Sequence, residues 1–339
     1  MQGIGSSGQV DIHTGWREHR KCAIFAPPMA KKKTTTKSPR APKAPTPRHE
    51  LANPDTRVYV GDCRDLLRSV PDCKDSKVDL IFADPPFNWQ VKYDKWHDGM
   101  PREDFLKFTY NWLEGCVDAL TPDGSMWVNI PDDTAAEIVV HMKNKCNMHM
   151  VNWCVWHFRF GQNRMSSFIM SKVHALYFAK DPATRTWNAE EILEPSDRAT
   201  TYFDPRTHNK RAGHNGLRVP MDVWYGKYWG RIQGNNKERR SRHENQLPEV
   251  YLERVIRACS NEGDLVLDPF LGSGTTGLVA RALGRRSIGL EYSAANAKSA
   301  FERIKEGPIR VGRGAINQST AIFAPRVTGP KSRAHAETR

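Results

Sequence analysis

No stretch of the 339-residue chain approaches the ~18 consecutive apolar residues of a membrane-crossing helix. The run Cys22–Ala26 is too short for the core of a secretory signal. The seven cysteines form no Cys-x-x-Cys pair, so they are expected to be reduced and mostly buried, without a zinc site or disulfide framework. That usage fits the cytoplasm. Acidic residues are also scarce: 38 Asp+Glu face 51 Lys+Arg, a formal charge of +13. The shortage is local. Residues 1–50 carry a net +7, 306–339 a net +4 and 198–242 a net +8, whereas the remainder of 51–305 is net −6. A basic stretch set in an acidic body, with basic tails, points to a polyanionic partner.

Hydrophobic residues make up 39% of the chain, enough for a sizeable core. Residues 1–50 read as a disordered basic tail, because Lys31–Arg40 and the Ala/Pro/Lys segment after it bury too little apolar surface to offset their ordering entropy. Met29-Ala30-Lys31 resembles a natural start, so residues 1–28 are expected to precede the native protein; N-terminal mass spectrometry checks this. The body alternates strand and helix signals, which predicts a mostly parallel sheet covered by helices on both faces. Strands are predicted at Val58–Gly61, Val78–Ala83, Ser125–Ile130, Trp153–Phe160, Ala175–Ala179, Leu265–Leu267 and Ser287–Leu290. Phe105, Phe108, Trp112 and Cys116 fall at helical spacing, as do Leu252, Val255, Ile256 and Cys259 after Pro248. Thr276–Leu283 reads as a helix stopped by Gly284, and Ser293 can cap a last helix ending near Gly307. Residues 185–242 are weakly patterned and read as a loop-rich insert; 306–339 read as a basic C-terminal tail.

Two constellations carry chemistry. Leu265–Gly277 is a strand, a glycine-rich turn and a helix start. Glycines admit a close backbone approach, and a helix start offers free N–H groups. Glu291 lies at the end of the next strand, where a carboxylate can accept from both hydroxyls of a ribose. Gly272, Gly274 and Gly277 formally satisfy G-x-G-x-x-G, but Asp268-Pro269-Phe270-Leu271 separates strand from glycine. A dinucleotide site is therefore disfavoured against another nucleoside cofactor; a purely structural turn is the remaining alternative.

The second constellation is Val78–Asn88, an apolar strand ending in Asp84-Pro85-Pro86-Phe87. The prolines stiffen the turn and remove two N–H donors. The Asp84 carboxylate and the Pro85 carbonyl can then act as paired acceptors beside the flat face of Phe87. That set suits the edge of an amino-bearing base. Its exocyclic nitrogen is a poor nucleophile because the lone pair is delocalised into the ring; two accepted N–H bonds favour a pyramidal nitrogen able to attack a methyl group.

Together these elements resemble the amino-methylating DNA methyltransferases, the N4-cytosine/N6-adenine group that uses S-adenosyl-L-methionine. Asp-Pro-Pro-aromatic is that family's catalytic motif and Asp-Pro-Phe-x-Gly-x-Gly-Thr-Thr its cofactor loop. The catalytic motif comes first, the cofactor loop last and the basic stretch between, which resembles the circularly permuted β class. The resemblance spans about 57–305. It implies a Rossmann-like class I α/β sheet of seven strands, one antiparallel, with an inserted target-recognition region. It assigns catalysis to Asp84, Pro85, Pro86 and Phe87, and cofactor binding to Asp268, Pro269, Phe270, Gly272, Gly274, Thr275 and Glu291, with Asp62 after the first strand at the cofactor adenine. His243–Pro248 resembles the segment lining the methionine end, with Glu244 and Leu247 replacing the usual Pro and Lys. The acidic first residue leans to adenine N6 over cytosine N4. Transfer is direct, and no Pro-Cys dipeptide supplies the thiolate of ring-carbon methylation. The resemblance further implies double-stranded DNA as partner, a restriction endonuclease as a candidate partner, and a bacterial cytoplasmic protein working at the nucleoid. A catalytically inactive DNA-binding module of the same fold, and the same chemistry on RNA or a protein amide, are the rival readings.

The DNA-facing charge is expected within 198–242, densest at Lys237, Arg239, Arg240 and Arg242, with Tyr202, Phe203, Trp224, Tyr225, Tyr228 and Trp229 interleaved. Gly161–Arg164 and the loop 88–99, with Tyr93 and Trp96, are expected to flank the cleft; His157 reads as a satisfied core histidine.

Overall fold

The structure, a computed structural model, describes residues 44–91, 96, 98–158, 161, 165–200, 216–240, 243 and 245–313. Most of both expected basic tails lies outside the described residues. The chain opens with β1 (His49–Leu51), β2 (Thr56–Val60), α1 (Cys63–Ser69), α2 (Pro71–Lys74) and β3 (Val78–Ala83). Then follow α3 (Arg102–Ala119), β4 (Leu120–Ile130), α4 (Asp132–Asn144), β5 (His149–His157) and β6 (Lys172–Ala179). A 3-10 turn (Ala189–Ile192) leads to β7 (Glu194–Pro195), α5 (Asp197–Thr200), β8 (Leu217–Arg218) and β9 (Val223–Trp224). The last part is α6 (Glu249–Cys259), β10 (Leu265–Asp268), α7 (Thr275–Ala282), β11 (Arg286–Glu291) and α8 (Ala294–Glu306).

Among the described residues the main sheet has nine strands, ordered β1-β2-β11-β10-β3-β4-β6-β5-β9, and β7 pairs with β8 separately. This exceeds the seven strands with one antiparallel that the resemblance implies: β1 and β9 stand at the edges, and two strands, β1 and β6, run antiparallel. Both edge strands are too short to leave a strand signal in sequence. The central strands read as continuous apolar runs because both faces are covered. Ile81, Ala83, Leu265, Leu267 and Ile288 feed one core with α1, α3 and α4; Leu80, Phe82 and Val266 feed the other with α6 and α7. Phe105, Phe108, Trp112 and Cys116 all point into the first core, as their spacing predicts. Pro248 does stand before α6, and the Ser293 hydroxyl caps α8 by accepting from the Asn296 N–H.

The topology fixes where a ligand can sit. From β3 the chain crosses through α3 to β4 on one side; from the adjacent β10 it crosses through α7 to β11 on the other. The two connections diverge and leave a crevice at the carboxyl ends of β3 and β10, the usual ligand position of such sheets.

The structure departs from the expected organisation at two boundaries and at two tryptophans. His49 stacks on Phe301 with ring centroids 4.8 Å apart, and the Arg48 N–H donates to the Val58 carbonyl, so the body begins before residue 51. At the other end the N–H groups of Ile309 and Arg310 donate to the buried Glu249 carboxylate and that of Gly312 to Glu253. Buried carboxylates need such donors, and they draw part of the expected tail onto α6. Within the insert, Trp224 and Trp229 are buried core residues rather than DNA-facing aromatics, since both rings pack near Tyr251 of α6. No helix among the described residues is long and apolar enough to cross a membrane.

Candidate active site

One cavity of about 510 Å³ opens at this crevice, within the ~300–1,000 Å³ typical of ligand sites. Its wall includes Asp62, Asp84, Pro85, Pro86 and Phe87 from one part of the chain, and Asp268, Pro269, Phe270, Gly272, Thr275 and Glu291 from the other. The two groups lie far apart in sequence, but β3 and β10 are neighbours in the sheet, with Val266 beside Leu80 and Leu267 beside Ile81.

The glycine loop is held from below. Asp268 ends β10 buried, accepting the Phe270 N–H at 2.9 Å. Glu291 ends β11 and accepts the Gly272 N–H on one oxygen and the Ser293 N–H on the other, both at 2.9 Å. The carboxylate is thus oriented at the cavity wall, with the Asn296 side chain as a further donor to it. Gly272 has φ +48°, and a Cβ there would meet only the Phe270 carbonyl at 3.5 Å. Its missing side chain leaves the room a bound nucleoside needs. Gly274 answers a different requirement. At φ +78° its Cβ would press on Ala300 of α8 at 3.0–3.1 Å, so it serves helix packing and does not face the cavity.

Asp62 caps α1 by accepting the Arg64 N–H at 2.9 Å, and its carboxylate pairs with the Arg64 guanidinium at 2.6 Å. That pairing holds its pKa below the usual carboxylate value. His243 lines the cavity with Nε2 lacking a hydrogen-bond partner, and burial, with the Arg303 charge, pushes its pKa down to about 4. The imidazole is therefore neutral and offers a free polar atom to a ligand. Glycine room, an oriented carboxylate and an orphaned polar atom together fit an adenosyl cofactor with a polar tail.

The Asp-Pro-Pro-Phe turn faces the same space. Asp84 follows β3, and Asn129 of β4 donates to one of its oxygens at 2.6 Å. Burial, with Asp268 adding repulsion, pushes the Asp84 pKa up to about 7; Asn129 opposes this. Burial raises Asp268 to about 7 as well. Phe87 meets Trp89 edge-on, with centroids 5.2 Å apart. Sequence reasoning missed what pins the turn. The buried Asp98 carboxylate accepts the N–H groups of Asn88, Trp89 and Val91 at 2.9–3.1 Å, and the Asn88 amide grips the backbone of Met100. Nothing local marks Asp98. Asn129 had a signal, a polar residue closing an apolar strand. Trp96 packs on Phe108 and Tyr292 at the cavity wall; Tyr93 and residues 162–164 lie outside the described residues. The ring Nδ1 of His157 bonds to the Ser171 carbonyl, and the side chain is half-buried.

The basic cluster divides. Lys237 and Arg239 are exposed. Arg240 is half-buried, pairs with Glu306 and has its N–H on the Gln246 side chain. Glu238 between them is buried, accepting from Arg310 and from the Glu249 N–H. Arg242, Tyr202 and Phe203 lie outside the described residues. All six described cysteines are free, and burial pushes Cys63, Cys73 and Cys154 up to about 12, so none offers a thiolate. Among the described residues no cluster could hold a metal ion.

A doubly covered, mostly parallel sheet with a cavity at its switch point, walled by the Asp84 turn and the glycine loop, has the architecture of a class I methyltransferase fold. The solved cytosine-N4-specific PvuII DNA methyltransferase shares it, with a TM-score of 0.57 at 17% identity over 77% of this chain and 93% of that one. The family model described as DNA methylase matches residues 78–302. The chain is 30% identical to the type II methyltransferase M.HpaI of Haemophilus parainfluenzae over 71% of its length and 73% of the relative's. It is 31% identical to the DNA adenine methyltransferase YhdJ of Escherichia coli over 75% and 84%. The chain belongs to the N6/N4 DNA methylase family, whose members transfer a methyl group from S-adenosylmethionine.

Proposed function

We propose that the chain methylates adenine N6 in a base flipped out of double-stranded DNA. The observation that carries this reading is the shared cavity, with the Asp84 turn and the glycine loop on neighbouring strands. S-adenosylmethionine, when bound, supplies a methyl group on a sulfonium that leaves as a neutral thioether. Glu291 would accept from the ribose hydroxyls, Gly272 would leave room for the sugar, and Asp62, already anchored by Arg64, would meet the adenine. Asp268, Pro269, Phe270 and Thr275 form the wall beside it.

Asp84 and the Pro85 carbonyl accept the two N–H bonds of the target amine, Pro86 keeps the turn stiff, and Phe87 stacks on the base at ~1–3 kcal/mol. Flipping costs a few kcal/mol. The nitrogen exchanges one N–H for the new N–C bond, and Asp84, with its pKa near 7, can hold the departing proton. The acidic first residue of the turn supports adenine over cytosine N4; the names of the relatives include both.

The motif order supports the circularly permuted β class. In this reading 48–312 is the catalytic body, 185–242 the target-recognition insert with Lys237, Arg239 and Arg242 on DNA and Arg240 held back by Glu306, and the residues beyond it at either end are basic flanks. The type II relative supports a cognate restriction endonuclease as its partner, with an orphan enzyme as the alternative. Long-read modification mapping of a host expressing the gene is the test. N6-methyladenine at one recurring sequence is expected; N4-methylcytosine would overturn the base assignment, and unmodified DNA the activity.

A further inference from the structure

The Asp84 carboxylate is the end of a buried chain of hydrogen bonds. Asn129 of β4 donates from Nδ2 to Asp84 Oδ1 at 2.6 Å, and its own Oδ1 accepts from the Tyr251 hydroxyl of α6 at 3.1 Å. Both side chains are buried. An Asn amide can lie either way round; with a carboxylate on one side and an O–H donor on the other, only one way satisfies all three groups. The Tyr251 ring is itself fixed, packed against Phe82 and Trp156 and against Trp224 from the insert, with centroids 5.3–5.6 Å away.

Resting on the reading above, we propose that Asn129 and Tyr251 are positioning residues for Asp84. They occupy one carboxylate oxygen, leave the other for the target amine and hold the group as an acceptor. Of the titratable groups, Asp268 at the end of the adjacent β10 acts on Asp84, and Asp84 in turn helps to hold Tyr251 protonated. Asp268 repels the charged form. Burial keeps the tyrosine protonated, and Asn129 alone of these donates directly to the carboxylate. Removing that donor leaves burial and Asp268 unopposed, so Asp84 takes up a proton at higher pH and ceases to accept.

The test is single-turnover methyl transfer at saturating cofactor and duplex DNA, followed across pH for Asn129→Ala and Tyr251→Phe. In Asn129→Ala the acidic limb should move up by about one pH unit and the rate at pH 7 fall roughly tenfold or more, recovering toward alkaline pH. Tyr251→Phe keeps the ring and its packing and should shift the same limb the same way by less. Cofactor affinity should stay within about twofold in both, since neither side chain lines the cavity. Profiles superimposable on wild type, or a rate loss with an unmoved limb, would overturn the proposal. If Asn129→Ala fails to fold, Tyr251→Phe alone decides. Asp84→Ala run in parallel separates the two levels: inactive Asp84→Ala with unaltered Tyr251→Phe sinks only the positioning role, whereas active Asp84→Ala sinks the functional reading itself.

Discussion

The Asp84 turn and the Lys237–Arg242 stretch are both dense in chemistry, yet sequence forecasts them unequally well. The turn takes its geometry from its own backbone. Two prolines stiffen it wherever it sits, so it lines the cavity with only a few outside holds, Asp98 on its backbone and Asn129 on its carboxylate. The fate of a charge cluster depends on what folds beside it. Glu238 is drawn into the interior by Arg310, and Arg240 is tied to Glu306. Residue types that look alike in sequence therefore divide into structural struts and exposed cations.

Substitutions can break or sharpen that contrast. The largest effect is expected in the turn: Asp84→Ala should cut methyl transfer at least ~10²–10³-fold, the cost of one preorganised hydrogen-bonding group, with cofactor binding near normal by equilibrium dialysis. Glu291→Ala should weaken cofactor binding roughly 10–100-fold by calorimetry, because it removes charge-assisted bonds and releases the Gly272 N–H. The pH profile should show transfer rising as pH climbs through about 7, since Asp84 must be ionised to accept and burial has raised its pKa to that region. A rate unchanged from well below to well above that pKa would contradict this. The smallest effects belong to the cluster. Lys237→Ala with Arg239→Ala should flatten the slope of log affinity against log salt by about 0.9 for each phosphate no longer neutralised. Arg240→Ala should leave that slope nearly unchanged and lower stability by at most ~1 kcal/mol, as its partner Glu306 is exposed.

The legible part of the fold follows the same division. Val78–Ala83 and the Ser293-capped helix are readable to the residue or nearly so because buried parallel strands and capped helices write their pattern locally. The edge strands β1 and β9 are not, since three and two residues carry no period. On composition Trp224 and Trp229 resemble a nucleic-acid face, and only the packing of the insert against α6 reveals them as core. Gly274 illustrates the same point inside a motif: its sequence signature is that of the cofactor loop, but its missing side chain makes room for a helix.

The claim beneath all of this is that both corners serve one reaction in one cavity. A bisubstrate compound tests it most directly: an adenine joined through N6 by a two-carbon link to an S-adenosylmethionine analogue with nitrogen in place of sulfur. Occupying both corners at once should make it bind the wild-type protein well over tenfold tighter than the unlinked analogue, with the gain lost in Asp84→Ala. Equal affinity for the linked and unlinked compounds would contradict the account.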